Sequence, residues 1–175
     1  MIETADVLDF EELKTSFDRT FELARVELNQ ELVHLLIVRT GAARFALKVG
    51  ELAGLARAQT VVPIPTADAG LLGLAGLKGR MVAVYSLAAQ VGTPNLSAGA
   101  ERWLVLCRSD KGIALAFTVA EGTLMVPSSD LCPVSAGAPP HATDAVGSGA
   151  SRLWLLNVSS IAAAIVQQTA TPVAS

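Results

Sequence analysis

The sequence predicts a mainly β protein built from two similar units in tandem. Short runs rich in valine, leucine and isoleucine alternate with turn residues, a pattern typical of strands. The first two runs, LVHLLIV (32–38) and RFALKV (44–49), form a candidate hairpin. A matching pair, WLVLC (103–107) and IALAFTV (113–119), follows later in the chain. This internal repeat indicates two units of the same construction, and each is too small to bury much core without the other.

In the first unit, residues 39–42 supply the turn of the hairpin. Residues 50–58 carry apolar side chains at helical spacing, but two glycines weaken a helix, so a short turn or an irregular strand is equally compatible. TVVPIP (60–65) is extended and interrupted by prolines, which favours an edge or the end of a strand.

Each unit closes with a strand followed by a short helix. RMVAV (80–84) precedes the helical SLAAQV (86–91), and RLWLLNV (152–158) precedes SSIAAAIV (159–166). The glycines of GLLGLAGLKG (70–79) lack the order of a phosphate-binding loop, so we interpret them as allowing apolar backbone to pack closely and turn sharply.

Two loops separate the repeated parts. One is GTPNLSAGAE (92–101); the other, residues 133–151, is long and rich in proline, glycine, alanine and serine, so it is predicted to be mobile. The pattern divides the chain into an N-terminal arm at 1–31, a body at 32–168 and a tail at 169–175 that is predicted to be disordered.

The composition excludes several classes of protein. With 51% hydrophobic and 17% charged residues, the chain of 175 residues is a folded protein. Its net charge of -3 and its few aromatic residues argue against the basic, aromatic face of a nucleic-acid binder. We expect a cytoplasmic protein without direct membrane insertion, because the sequence shows no signal segment and no apolar stretch of about 18 residues.

The residues that usually carry chemistry are few. Cys107 and Cys132 lack the CxxC spacing, so two buried small hydrophobic residues are favoured over a disulfide. His34 lies in the first strand and His141 in the long loop, too few for a metal cluster. No nucleophile elbow is present. The sequence therefore predicts no catalytic residues, no metal and no cofactor.

The arm at 1–31 (the acidic arm) differs from the body in charge. It holds nine acidic and three basic residues, a balance of -6, whereas the rest holds seven acidic and ten basic residues, a balance of +3. Apolar residues in the arm recur every three or four positions, as on one face of a helix. This face comprises Phe10, Leu13, Phe17, Phe21, Ala24 and Leu28. Two interpretations stay open: the helix docks on its own body, or it binds a partner.

One segment resembles a known signature. The run LKGRMVAVYSL (77–87) is similar to the signature of the CheW-like family, which reads roughly Asn-Leu-Arg-Gly-x-Ile-x-Pro-Val-x-Asp-Leu. Gly73 and Leu74 resemble the Gly-Val before that signature, and Pro65 falls near the family's usual proline. The resemblance covers about residues 33–166 and leaves the acidic arm outside.

The resemblance implies a fold and a function. The family forms two interlocked SH3-like β barrels around a shared apolar core. It implies a non-catalytic adaptor that couples methyl-accepting chemoreceptors to a CheA-type histidine kinase in a bacterial chemosensory system. One surface of the first barrel would meet the regulatory domain of the kinase, and the groove between the barrels would take the signalling tip of the receptor. The protein would then be cytoplasmic and recruited to chemoreceptor arrays.

The resemblance also implies a partner-binding site formed by Leu52, Leu55, Lys78 and Trp103 or Leu104. Lys78 stands where the family has an arginine, so the charge is kept but the planar, bidentate fork is lost. Lys78 and Arg80 are taken to alternate at the entry of a strand, so at most one is expected to face the groove, and the family pattern selects Lys78.

Other family positions depart from the signature. Gly76 replaces asparagine, Ala83 replaces proline, Ser86 replaces aspartate, and Gly54 stands where many members carry glutamate. The fold is thus expected to survive better than the partner specificity. The alternative function is a structural assembly factor that self-associates, or holds a non-signalling partner, through the helix face of Phe10, Leu13, Phe17 and Phe21.

Overall fold

A computed structural model describes residues 31–58, 60–94, 101–134, 136–147 and 149–170. Within these ranges the fold is mainly β, with eleven strands in two sheets and two α-helices. The acidic arm, apart from residue 31, and the last five residues lie outside the described residues.

The elements follow one another as two runs of strands, each closed by a helix. The first run comprises β1 (Leu32–Thr40), β2 (Ala43–Lys48), β3 (Leu52–Arg57), β4 (Leu71–Leu77), β5 (Arg80–Ser86) and α1 (Leu87–Gln90). The second run comprises β6 (Trp103–Cys107), β7 (Ile113–Phe117), β8 (Val119–Pro127), β9 (Leu131–Pro133), β10 (Ala142–Val146), β11 (Leu153–Leu156) and α2 (Val158–Ala170).

Each sheet takes strands from both halves of the chain. The first sheet has the order β8-β1-β2-β11-β10-β9, and the second has the order β3-β6-β7-β5-β4. Neighbours within a hairpin are antiparallel. Four pairs join the halves: β1 with β8 and β3 with β6 are antiparallel, whereas β2 with β11 and β5 with β7 are parallel. The predicted interlocked β fold is therefore confirmed, and neither sequence unit forms a separate sheet.

The main core explains the sequence pattern. Both predicted hairpins form, with Leu36 opposite Leu47 and Val105 opposite Leu115. Buried side chains of both sheets meet the apolar face of α2, where Ile161 and Ile165 are fully enclosed. Burying such side chains is the main source of folding free energy, which accounts for the low charge of these runs.

A close approach of two backbones explains one glycine of the run at 70–79. Gly73 has a φ of +147°, and a Cβ atom there would overlap the carbonyl of Val62. Val62 and Leu74 exchange backbone hydrogen bonds of 2.8 and 2.9 Å at this point. The interpretation of close packing is confirmed here, although the run also forms strand β4, which was not predicted.

The structure corrects the prediction for the C-terminal third of the body. The supposed mobile loop at 133–151 contains strand β10, since Ala145 pairs with Cys132 on one side and Trp154 on the other. The local composition favours a loop, but pairing with the strands on both sides stabilises a strand there. Helix α2 continues to Ala170, so the first two residues of the predicted disordered tail are helical.

The two cysteines are both free, as predicted. Cys107 is buried in β6, but Cys132 is exposed, so the prediction of two buried thiols is wrong for Cys132. Across the described parts of the chain, no helix is both long and apolar enough to cross a bilayer.

Candidate partner-binding groove

An apolar pocket of about 280 Å³ lies where the two sheets meet. It is lined by Leu36, Val49, Leu52, Ala53, Gly54, Leu55, Arg108 and Thr123. Leu36 and Thr123 are cross-strand partners in the first sheet, whereas residues 52–55 belong to the edge strand β3 of the second. The pocket thus exists because the sheets are interlocked.

A basic depression of about 550 Å³ adjoins this pocket. It is lined by Ala53, Leu77, Lys78, Arg80, Leu106, Arg108 and Lys111. Because Ala53 and Arg108 line both cavities, the two form one continuous surface, which we call the groove. Its cations are Lys78, Arg80, Arg108 and Lys111, which we call the groove cations.

Turn geometry places the first two cations. Leu77 pairs with Arg80 across a two-residue turn in which Lys78 has a φ of 49° and Gly79 a φ of 75°. Two consecutive positive φ values are those of a type I′ hairpin turn. Lys78 therefore does not follow the alternation of a strand, and both Lys78 and Arg80 line the depression. The prediction that Arg80 points away from the groove is wrong, because residues two positions apart along a strand share a face, so alternation gives no reason for Lys78 and Arg80 to point in opposite directions.

The other two cations flank the turn between β6 and β7. The Arg108 backbone N–H donates a 2.9 Å hydrogen bond to the carbonyl of Glu51, which holds this turn against β3. The Asp110 carboxylate accepts the N–H of Gly112 at 2.8 Å and so stabilises the turn itself. Sequence reasoning missed Arg108 and Lys111, although both hairpin turns of the second sheet carry two cations.

None of the groove cations forms an ion pair with another described residue. Among the described residues, no carboxylate lies within 4 Å of any of them; the ion pairs there join Arg39 and Arg44 to Glu121. Four positive charges around a concave surface with low-dielectric walls focus a positive potential in it. The groove is therefore suited to a ligand that is both acidic and apolar.

The predicted site residues divide between the groove and the core. Leu55 is 42% exposed on the rim, and Lys78 is exposed beside it, whereas Leu52 is only 8% exposed and forms part of the floor. Leu104 is fully buried and lines neither cavity of the groove. Trp103 precedes Leu104 in strand β6, so its side chain points to the opposite face of the sheet.

Trp103 itself lies away from the groove. Its ring is half-buried against the main core, and the guanidinium of Arg57 stacks over it at 5.1 Å from the ring centroid. In this cation–π contact, a side chain of the same protein covers the exposed face of the ring. The helix face of Phe10, Leu13, Phe17 and Phe21 lies outside the described residues.

Lys78 lies across Gly54. A Cβ atom built on Gly54 would be 3.2 Å from the Lys78 ammonium. The absence of a side chain at position 54 therefore lets the lysine cover β3, and position 54 offers the ammonium no carboxylate. The positive charge stays available to a partner.

Burial shifts the pKa of Cys107, near the groove, and the pKa of His141, far from it. Burial, together with the nearby charges of Asp110 and Glu51, raises the pKa of the Cys107 thiol to about 12, so the thiol is unreactive at neutral pH. His141 Nδ1 lies 3.0 Å from Ser160 Oγ, and burial lowers its pKa.

Comparisons with known proteins agree with this architecture. A family model described as a CheW-like domain matches residues 34–166, which is most of the chain. The crystal structure of the scaffolding protein TtCheW from Thermoanaerobacter tengcongensis is similar, with a TM-score of 0.65 over 75% of this chain and 88% of that chain, at 9% sequence identity. No curated protein is significantly similar in sequence. The chain belongs to the CheW-like domain family.

Proposed function

We propose that this protein is a non-catalytic adaptor that couples methyl-accepting chemoreceptors to a CheA-type histidine kinase in a bacterial chemosensory system. It would act in the cytoplasm at membrane-associated receptor arrays. Membership of the CheW-like family supports this proposal. The observation that carries it is the groove, in which an apolar pocket adjoins four cations that have no carboxylate partner among the described residues.

The receptor signalling tip is the proposed ligand of the groove. An apolar side chain of the tip would enter the pocket beside Leu55, and carboxylates of the tip would meet Lys78 and Arg108. Burial of apolar surface contributes about 25 cal/mol per Å², and a hydrogen bond to a charged group about 1.5–3 kcal/mol. The pocket would thus supply affinity, and the cations would determine the orientation and selectivity of binding. The kinase regulatory domain would bind a separate surface.

Titration of the purified full chain against a receptor signalling tip tests this proposal. Loss of one charged contact, with added repulsion, predicts at least about tenfold weaker binding for Lys78→Glu. Lys78→Arg should retain or strengthen binding, because the guanidinium restores the bidentate fork. Equal binding by the wild type and Lys78→Glu, with unchanged thermal stability, would contradict the proposal.

The matched control is Arg152→Glu, which reverses an exposed cation that stacks over Trp154 and lines neither cavity of the groove. It makes the same change in net charge and should leave receptor affinity within about twofold at moderate salt, because exposed charges beyond a Debye length of about 10 Å are screened. A parallel titration against a kinase regulatory domain separates the two partner contacts.

A further inference from the structure

The groove requires an occupant with two properties. Its pocket offers the exposed apolar surface of Leu55 and Val49, and its depression offers four cations without described carboxylate partners. A fitting ligand must therefore present a row of apolar side chains bordered by acidic groups. An acidic loop without apolar side chains would leave the pocket uncovered. An apolar helix without acidic side chains would leave the cations unpaired.

The same chain contains a segment with this chemistry. The acidic arm combines nine acidic residues with a predicted helical face of Phe10, Leu13, Phe17 and Phe21. Its balance of -6 opposes the +3 of the remaining chain. We propose that the acidic arm occupies the groove of its own chain when no partner is bound, with the phenylalanine face toward the pocket and the acidic residues toward the groove cations.

The point at which the arm joins the body allows this placement. The carbonyl of Glu31 accepts a 2.8 Å hydrogen bond from the N–H of Ser128, which fixes the junction between arm and body. Strand β1 begins at the next residue, and Leu36, a wall of the pocket, follows four residues after Leu32. At about 3.4 Å per residue, Glu31 lies roughly 17 Å along the strand from Leu36.

The length of the arm is also sufficient. The predicted helical stretch from Phe10 to Leu28 would span roughly 28 Å at 1.5 Å per residue. That length exceeds the distance from the junction to the pocket and allows the acidic N-terminal turns to reach the adjoining depression.

Tethering makes a weak contact effective. A short flexible connection gives a local concentration on the order of millimolar, so an arm with only millimolar intrinsic affinity would still fill the groove about half of the time. This regulatory consequence rests on the proposed function: a receptor tip that uses the groove must first displace the arm. The docking itself can be tested without any partner.

The test places a nitroxide spin label on the arm of the full chain. Ser16→Cys lies off the apolar face, Cys132→Ser removes the exposed native thiol, and the buried Cys107 stays unlabelled. We expect selective paramagnetic broadening of the amides of Ala53, Lys78 and Lys111, with no effect at Thr143 on the distant strand β10. Raising the salt concentration should weaken the broadening.

Paired variants decide the outcome. In the labelled chain, Lys78→Glu/Arg108→Glu should abolish the broadening, whereas Arg102→Glu/Arg152→Glu, with the same change in net charge outside the groove, should retain it. Uniform broadening, broadening centred elsewhere, or persistence in the groove variant would overturn the proposal. A mixing experiment gives a further control, in which spin-labelled protein is added to isotope-labelled protein that carries no spin label. Equal broadening in this mixture would also overturn the proposal, because the arm would then bind a second copy.

A second readout separates this proposal from the proposed function. Phe17→Ser/Phe21→Ser should release the arm and strengthen receptor-tip binding several-fold. If the arm broadens the groove amides but these substitutions leave tip binding unchanged, the arm proposal holds and the groove is not the receptor site. If tip binding depends on Lys78 while the groove amides are not broadened, the arm proposal fails and the proposed function stands.

Discussion

Two groups of cations in this protein differ in what surrounds them. In the first sheet, Arg39 and Arg44 both contact the carboxylate of Glu121, with N–O distances of 2.9 Å and 2.6 Å. The groove cations have no such partner among the described residues. The paired group joins β1, β2 and β8 and serves the fold, whereas the unpaired group surrounds a cavity and is available for recognition.

The backbone shows how the paired group is formed. Ile37 pairs with Gly122 and Val38 with Ala120, so Glu121 is the extra residue of a β-bulge in β8. A bulge redirects a side chain, and here the Glu121 side chain, which is 18% exposed, lies between the two arginines. No acidic residue is among the described residues that line the groove. Charge pairing in this chain is thus a local property of particular turns and bulges.

Reversing two groove cations gives the largest expected effect. Lys78→Glu/Arg108→Glu should weaken receptor-tip binding by about 100-fold, since two charged contacts become repulsive. The thermal midpoint should stay within a few degrees, because neither side chain is buried. Calorimetric titration and thermal unfolding of the same samples would measure both quantities. A large loss of stability would show that the groove cations serve the fold after all.

Removing the carboxylate that Arg39 and Arg44 share should lower stability and leave receptor-tip binding unchanged, the opposite of the result expected for the groove cations. Glu121→Gln leaves Arg39 and Arg44 without their counter-charge, and such partly exposed pairs contribute about 1 kcal/mol to the free energy of unfolding. Receptor-tip affinity should not change. Urea unfolding, with tip titration as the control, would measure this. Unchanged stability together with weaker binding would remove the distinction between the two groups of cations.

A new carboxylate beside Lys78 should convert an unpaired cation into a paired one. In Gly54→Glu the added side chain starts 3.2 Å from the ammonium, and the exposed lysine can move aside to form an ion pair. We expect receptor-tip binding to weaken by about three- to tenfold, which is smaller than for the double reversal because only one cation is engaged. Gly54→Gln is the matched control and should retain most of the affinity.

The sequence predicted the parts of the fold that depend on local pattern. Both hairpins, the strand–helix closures and helix α2 follow from apolar periodicity. Strand β10 could not be predicted in the same way, because alanine, threonine and aspartate carry no strand pattern and the pairing with Cys132 and Trp154 is non-local. The long edge strand β8 was missed for a similar reason, since most of it is exposed and contains a glycine.

The lining of the groove was predicted only in part. The family resemblance placed Lys78 and Leu55 in the groove, where the structure also has them. It could not indicate Arg108 or Lys111, which reach the groove only through the pairing of β6 with β3. The wrong orientation of Arg80 has a definite cause: positions 78 and 80 are two residues apart, and side chains at this spacing share a face of a strand.

The most direct test of the account maps the receptor tip on the full chain by amide chemical shifts. If the unpaired cations and the adjoining pocket form the partner site, the largest shifts should cluster at Ala53–Leu55, Leu77–Arg80 and Leu106–Lys111. The amides of Arg39 and Arg44 and those along β10 should change little. Shifts concentrated on the first sheet around Arg39, Arg44 and Glu121, with the groove unperturbed, would contradict the account.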